Sequence, residues 1–170
     1  MTAQIHSIWL VPAPADELFL SDVLSRLSTR FGTPRFAPHL TVRGDTDTPV
    51  AALAEQVTRA AKAVRRFAQP VLAVETSEAF FRSFYARFEV SAPLAALKGA
   101  LDPDGLAEFM PHVSLLYGPV AAGPKASAAA EYQRQLTSRA ISFDRLCVVR
   151  SGQDIPIEDW AVVSTAILAP

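Results

Sequence analysis

FAPHLTV (residues 36–42) and FMPHVSL (residues 109–115) are two copies of one pattern, Phe-x-Pro-His-apolar-[Thr/Ser]-apolar, with their histidines 73 positions apart. Proline is only about one residue in twenty of ordinary chains, so such matches at fixed offsets are a poor coincidence. A helical pattern precedes each copy, and a glycine and then a second helical pattern follow it. Internal repetition of this kind predicts two equivalent half-units in a pseudo-twofold arrangement, with the motif strands facing one central cleft.

Side chains alternate faces along a strand, so residues i and i+2 point the same way. His39 and Thr41 therefore share a face, with Leu40 and Val42 turned to the core. His112 and Ser114 share a face likewise, backed by Val113 and Leu115. Pro38 and Pro111 carry no N–H and suit the first residue of a strand. Each copy thus presents one imidazole and one hydroxyl on a rigid apolar base.

Around the motifs, periodicity predicts a strand over 4–11 and a helix from Asp16 to Arg30 that Gly32 closes. A strand over 39–44 leads to a helix reaching about Phe67, capped by Asp47 or Thr48 with Pro49 in its first turn. Strands are expected at 70–75, 80–90, 112–117, 140–149 and 160–168, with helices at 93–99 and 125–137. Short connections and the absence of a long linker predict one α+β domain spanning 1–170. Half of the 170 residues are hydrophobic, enough to bury a core without staples.

Sixteen basic against seventeen acidic residues leave a formal charge of −1, which argues against bulk electrostatic gripping of a nucleic-acid duplex. A lone Cys147 excludes an internal disulfide and a thiolate metal cage. No signal peptide or membrane-length apolar run is evident, so a cytoplasmic, monomeric protein without membrane association is expected.

Two imidazoles and two hydroxyls around one cleft suit hydrolysis of a cyclic phosphodiester. One histidine activates water and the other protonates the leaving ester oxygen, since an unperturbed imidazole titrates near 6.5. The hydroxyls donate to the non-bridging oxygens where charge builds. In-line attack puts one ring nitrogen on each side of phosphorus, roughly 5–8 Å apart. No metal or cofactor is needed for this chemistry; a metal site would require Asp45 or Asp47 to join the histidines.

The paired Pro-His-Leu-Thr-Val and Pro-His-Val-Ser-Leu motifs resemble the signature of the two-histidine phosphoesterase superfamily. SIWLVP near the start and FMPHVSLLYG later are similar to its cyclic phosphodiesterase branch, and the resemblance covers most of the chain. It implies a bilobal fold of two antiparallel sheets around a central cleft with helices outside. It implies His39 and His112 as catalytic residues, Thr41 and Ser114 as phosphate binders, and action without a metal. The implied substrate is a nucleoside 2′,3′-cyclic phosphate or ADP-ribose 1″,2″-cyclic phosphate, opened to a phosphomonoester. His112 is read as the base and His39 as the acid. RNA 2′,5′-ligase-like or RNA-end phosphodiesterase activity is the nearest rival, and a non-catalytic cyclic-phosphate sensor is another.

The resemblance also brings in Tyr117 as a binding residue, although simple alternation turns it away from His112. The histidine-to-glycine gap is one residue longer in the second copy, as a bulge would require. Trp9 reads as a base-stacking platform or a core residue. Arg43, on the His39 face by parity, reads as a contact to a second phosphate or a solvated strand end. FFRSFYARF (80–88) reads as an aromatic, basic nucleotide face or, with Phe80, Phe84 and Phe88 on one parity, as the structural aromatics of a half-buried strand; Arg82, of the same parity, needs solvent or an anion. AVRRF (63–67) reads as the charged end of a helix, and His6 as a surface or strand-end histidine.

Overall fold

The computed structural model describes residues 4–170. The chain runs β1 (His6–Pro12), α1 (Pro14–Phe31), β2 (Leu40–Thr46), α2 (Val50–Ala63), β3 (Phe67–Pro70), β4 (Ala73–Thr76), β5 (Phe84–Arg87), α3 (Ala92–Leu101), β6 (His112–Leu116), α4 (Ala122–Thr137), β7 (Ala140–Arg150) and β8 (Ala161–Ile167). The strands form one eight-stranded antiparallel sheet in the order β3-β7-β1-β2-β6-β5-β4, with β8 also paired to β7. A single register pair, Leu40 opposite Val113, joins β2 to β6. The two expected antiparallel sheets are thus the halves of a sheet that is continuous only at this seam.

The helices interlock the halves. Helix α1 links β1 to β2 yet packs on β6, and α3 links β5 to β6 yet packs on β2. Leu20, Leu24 and Leu27 of α1 and Leu94, Leu97 and Leu101 of α3 are buried, at the three- and four-residue spacing of an apolar helix face. Beneath them Leu40, Val42, Val113 and Leu115 are fully buried, as alternation requires. Burying each such side chain is worth about 1.5–3 kcal/mol.

Each motif strand carries a bulge three residues after its histidine. Ile8 faces Arg43 and Trp9 faces Thr41, which leaves Val42 unopposed. Phe84 faces Leu116 and Tyr85 faces Ser114, which leaves Leu115 unopposed. An inserted residue shifts every later side chain to the other face. The duplication therefore extends beyond the motifs: SIWL (7–10) beside β2 matches SFYA (83–86) beside β6, with Trp9 and Tyr85 equivalent.

Several expectations are corrected. The strand over 80–90 is a 3₁₀ turn at Phe80–Arg82 followed by the short β5, closed by the Ser77 N–H to the Ser83 carbonyl and the Ser77 hydroxyl to the Arg82 carbonyl. The turn breaks the parity of the phenylalanines, so Phe84 and Phe88 are core while Phe80 is 43% exposed. Helix α2 ends at Ala63 rather than near Phe67, and Arg66 lies past it, its N–H on the Ala169 carbonyl. Pro49 itself occupies the cap position of α2, without a side-chain cap from Asp47 or Thr48. His6 is the first residue of β1, a strand-end histidine as expected, but it is buried rather than at the surface, and its Nδ1 has no partner among the described residues.

Candidate active site

Each histidine follows a proline, and the carbonyl two residues upstream holds its ring. His39 Nδ1–H donates to the Ala37 carbonyl at 2.7 Å, and His112 Nδ1–H donates to the Met110 carbonyl at 2.9 Å. Proline restricts the residue before it to extended conformations, which aims that carbonyl back at the imidazole. In both rings Nε2 is left as the nitrogen available to a ligand.

The two rings open on one cleft of about 650 Å³, which is also lined by Trp9, Thr41, Ser114 and Tyr117. All six residues singled out from the sequence therefore come together. Tyr117 reaches the cleft because the Leu115 bulge turns it over; it lies one residue past β6, before Gly118 at φ +112, a conformation suited to glycine. Its ring stacks on Phe36 with centroids 3.5 Å apart. Burial raises its phenol well above the usual range, so it stays a neutral donor.

The bulge at Val42 turns Arg43 the other way. It bonds to Thr46, Thr48, Gln56 and the Leu101 carbonyl behind the sheet, so neither a second phosphate nor a solvated end describes it. Gly44, five residues after His39 as Tyr117 is after His112, lines the cleft in its place.

Trp9 lies against His39, ring centroids 3.5 Å apart and 7° from parallel, so one indole face is occupied by the imidazole rather than open to a base. Beneath it, Cys147 is buried in a small cluster with Val11 and Val149. On the other side, Tyr85 meets His112 edge-on at 5.3 Å. Ser114 donates to the Phe81 carbonyl at 2.8 Å, whereas the Thr41 hydroxyl has no protein partner among the described residues. Thr41 is free to donate to a ligand; Ser114 must first rotate its proton.

Burial drives the His39 pKa from 6.5 down to about 4; the Ala37 carbonyl opposes this and the His112 charge adds to it. Burial lowers His112 as well, with the Met110 carbonyl opposing and Arg82 adding to the fall. Without a ligand both imidazoles are neutral at pH 7.

Several lining residues lie outside the two histidine motifs. Phe80, Phe81 and Arg82 arrive on the 3₁₀ turn, and Ser151–Gln153 and Trp160 from the β7–β8 connection. Trp160 stands 5.8 Å from Trp9, 6.0 Å from Phe81 and 6.0 Å from Tyr117, centroid to centroid. FFRSFYARF was the sequence signal for the first group, and the second had none. Asp45 lines the cleft and Asp47 does not. Among the described residues no three His, Cys, Asp or Glu side chains cluster as metal ligands, and no helix is long and apolar enough to cross a membrane.

Comparisons with known proteins agree with this architecture. A cyclic phosphodiesterase from Arabidopsis thaliana is 22% identical over 174 residues, covering 98% of this chain and 96% of the relative. E. coli LigT complexed with 3′-AMP superposes with a TM-score of 0.61 at 10% identity, over 99% of this chain and all of that one. LigT in apo form gives a TM-score of 0.60 at 12% identity, over 98% of each chain. The model of the 2′-5′ RNA ligase superfamily matches residues 12–155, which include both histidine motifs. On that match, and with a fold that pairs the two motifs across one cleft, the chain belongs to the 2′-5′ RNA ligase superfamily of two-histidine phosphoesterases.

Proposed function

We propose that the protein hydrolyses a cyclic phosphodiester, such as a nucleoside 2′,3′-cyclic phosphate, to a phosphomonoester without a metal. One observation carries the reading: two imidazoles, each fixed through Nδ1 to a carbonyl of its own strand, offer Nε2 to the same cleft. The name of the Arabidopsis relative supports the reaction class, and the LigT complexes with phosphate and 3′-AMP support a small nucleotide ligand.

His39 takes a proton from water as its oxygen bonds to phosphorus. His112, as imidazolium, gives a proton to the ester oxygen as the P–O bond breaks. This reverses the order expected from the sequence, because His39 is the more strongly lowered and so the harder of the two to hold as the imidazolium that the acid role requires. Thr41, Ser114 and Tyr117 donate to the non-bridging oxygens, where the transition state concentrates charge.

Purified protein in excess EDTA should convert adenosine 2′,3′-cyclic phosphate to a single monoester, and alanine at either histidine should slow it by about 10²–10⁴. Binding without turnover would establish a sensor instead. Turnover confined to 2′,5′-linked oligonucleotides would establish an RNA-end activity. Activity lost in EDTA and restored by zinc would overturn the mechanism.

A further inference from the structure

Among the described residues lining the cleft, Arg82 is the one arginine or lysine and Asp45 the one carboxylate. Strands β2 and β5 are both antiparallel to β6 and therefore run the same way. Asp45 lies in the C-terminal half of β2 and Arg82 just before the N-terminus of β5, at opposite ends of the cleft.

The Arg82 end is built to hold a cation still. Lys125, itself buried, donates to the Ser77 carbonyl at 2.7 Å and the Ser83 hydroxyl at 3.2 Å, and the Ser77 hydroxyl holds the Arg82 carbonyl. The guanidinium sits over the Tyr85 ring at 5.7 Å, and its Nε is buried with no partner among the described residues. Arg82 and His112 line the same cleft and the arginine charge is felt at that imidazole, so an anion beside His112 lies within its field.

The Asp45 end is the opposite in character. The carboxylate accepts the Gln153 N–H at 3.3 Å and otherwise faces the cleft. Ser7 and Ser151 satisfy each other, and Gly44 has open space where a side chain would stand. A carboxylate here accepts from a hydroxyl or an amine and repels a phosphate.

We propose that the cleft takes a substrate with one anionic group, its phosphate against Arg82 and His112 and its neutral, hydroxyl- or amine-bearing end at Asp45, and discriminates against substrates with a second phosphate. The inference rests on the phosphoesterase reading and narrows it to unphosphorylated nucleoside cyclic phosphates over pyrophosphate-bearing ones.

Calorimetry with 3′-AMP and adenosine 3′,5′-bisphosphate reads this preference without turnover. Wild type should bind 3′-AMP about tenfold more tightly, from one added charge pair several ångströms apart near the surface. Asp45→Asn should remove most of that ratio, and raised salt should shrink it in wild type. Arg82→Gln should weaken both ligands, lower kcat/KM for cyclic phosphates by about 10², and move the His112 limb of the pH profile upward. An Asp45→Asn ratio equal to that of wild type, or an Arg82→Gln protein with unchanged affinity and pH profile, overturns the inference. The binding preference intact without any turnover would overturn the catalytic reading alone.

Discussion

Acidification should destabilise the protein through one identifiable group. His39 titrates at about 4 in the folded state against 6.5 when exposed to water. Below pH 6.5 the unfolded chain binds a proton that the folded protein refuses, so stability falls as pH falls and levels off below about 4. Each pKa unit is worth about 1.4 kcal/mol, so this group alone removes about 3 kcal/mol between pH 7 and pH 4. That is a large share of the roughly 5–15 kcal/mol of a typical domain. His39→Gln lacks the titration but keeps a side chain able to donate to the Ala37 carbonyl. Urea unfolding of both proteins across this range isolates the effect, because His112 and the carboxylates contribute to both. The stability lost by wild type should exceed that lost by the variant by about 3 kcal/mol, or one molar or more in midpoint at ordinary urea slopes. Parallel curves would mean that His39 is hydrated in the folded protein, and the role assignment built on its burial would fall.

Three further outcomes follow from the geometry. The rate kcat/KM for a cyclic phosphate should be bell-shaped and centred on the acid side of 6.5, because neutral His39 exists above about 4 and charged His112 below its own lowered pKa; a flat profile would contradict paired proton transfer. Thr41→Ala should lower turnover with little change in stability, whereas Ser114→Ala should also cost about 1–3 kcal/mol in urea unfolding by leaving the Phe81 carbonyl unpaired. Trp9→Leu should lower kcat more than it raises KM, since the indole holds the His39 ring rather than the substrate; an effect on KM alone would restore the base-platform reading.

The two motifs were legible because proline, histidine and a hydroxyl at fixed offsets are rare and local, and alternation alone assigns their faces. What the sequence hid begins at the bulges. Arg43 keeps the parity of His39 in the text of the chain, but Val42 has no opposite residue, and the arginine turns behind the sheet. The same device at Leu115 turns Tyr117 in, where only the longer gap to Gly118 hinted at it. Trp160 and Gln153 reach the cleft from a connection distant in sequence, with no pattern to announce them. The pairing of Trp9 with His39 depends on register across β1 and β2, which periodicity does not encode.

The central claim is that both imidazoles present Nε2 to one phosphate. Long-range proton–nitrogen NMR of the histidine rings, followed through a phosphate titration, tests it most directly. At pH 7 without ligand, His39 and His112 should both be neutral and protonated on Nδ1, and both Nε2 resonances should move with a single dissociation constant. Response from only one ring, or a proton resident on Nε2 in the free protein, would contradict the account.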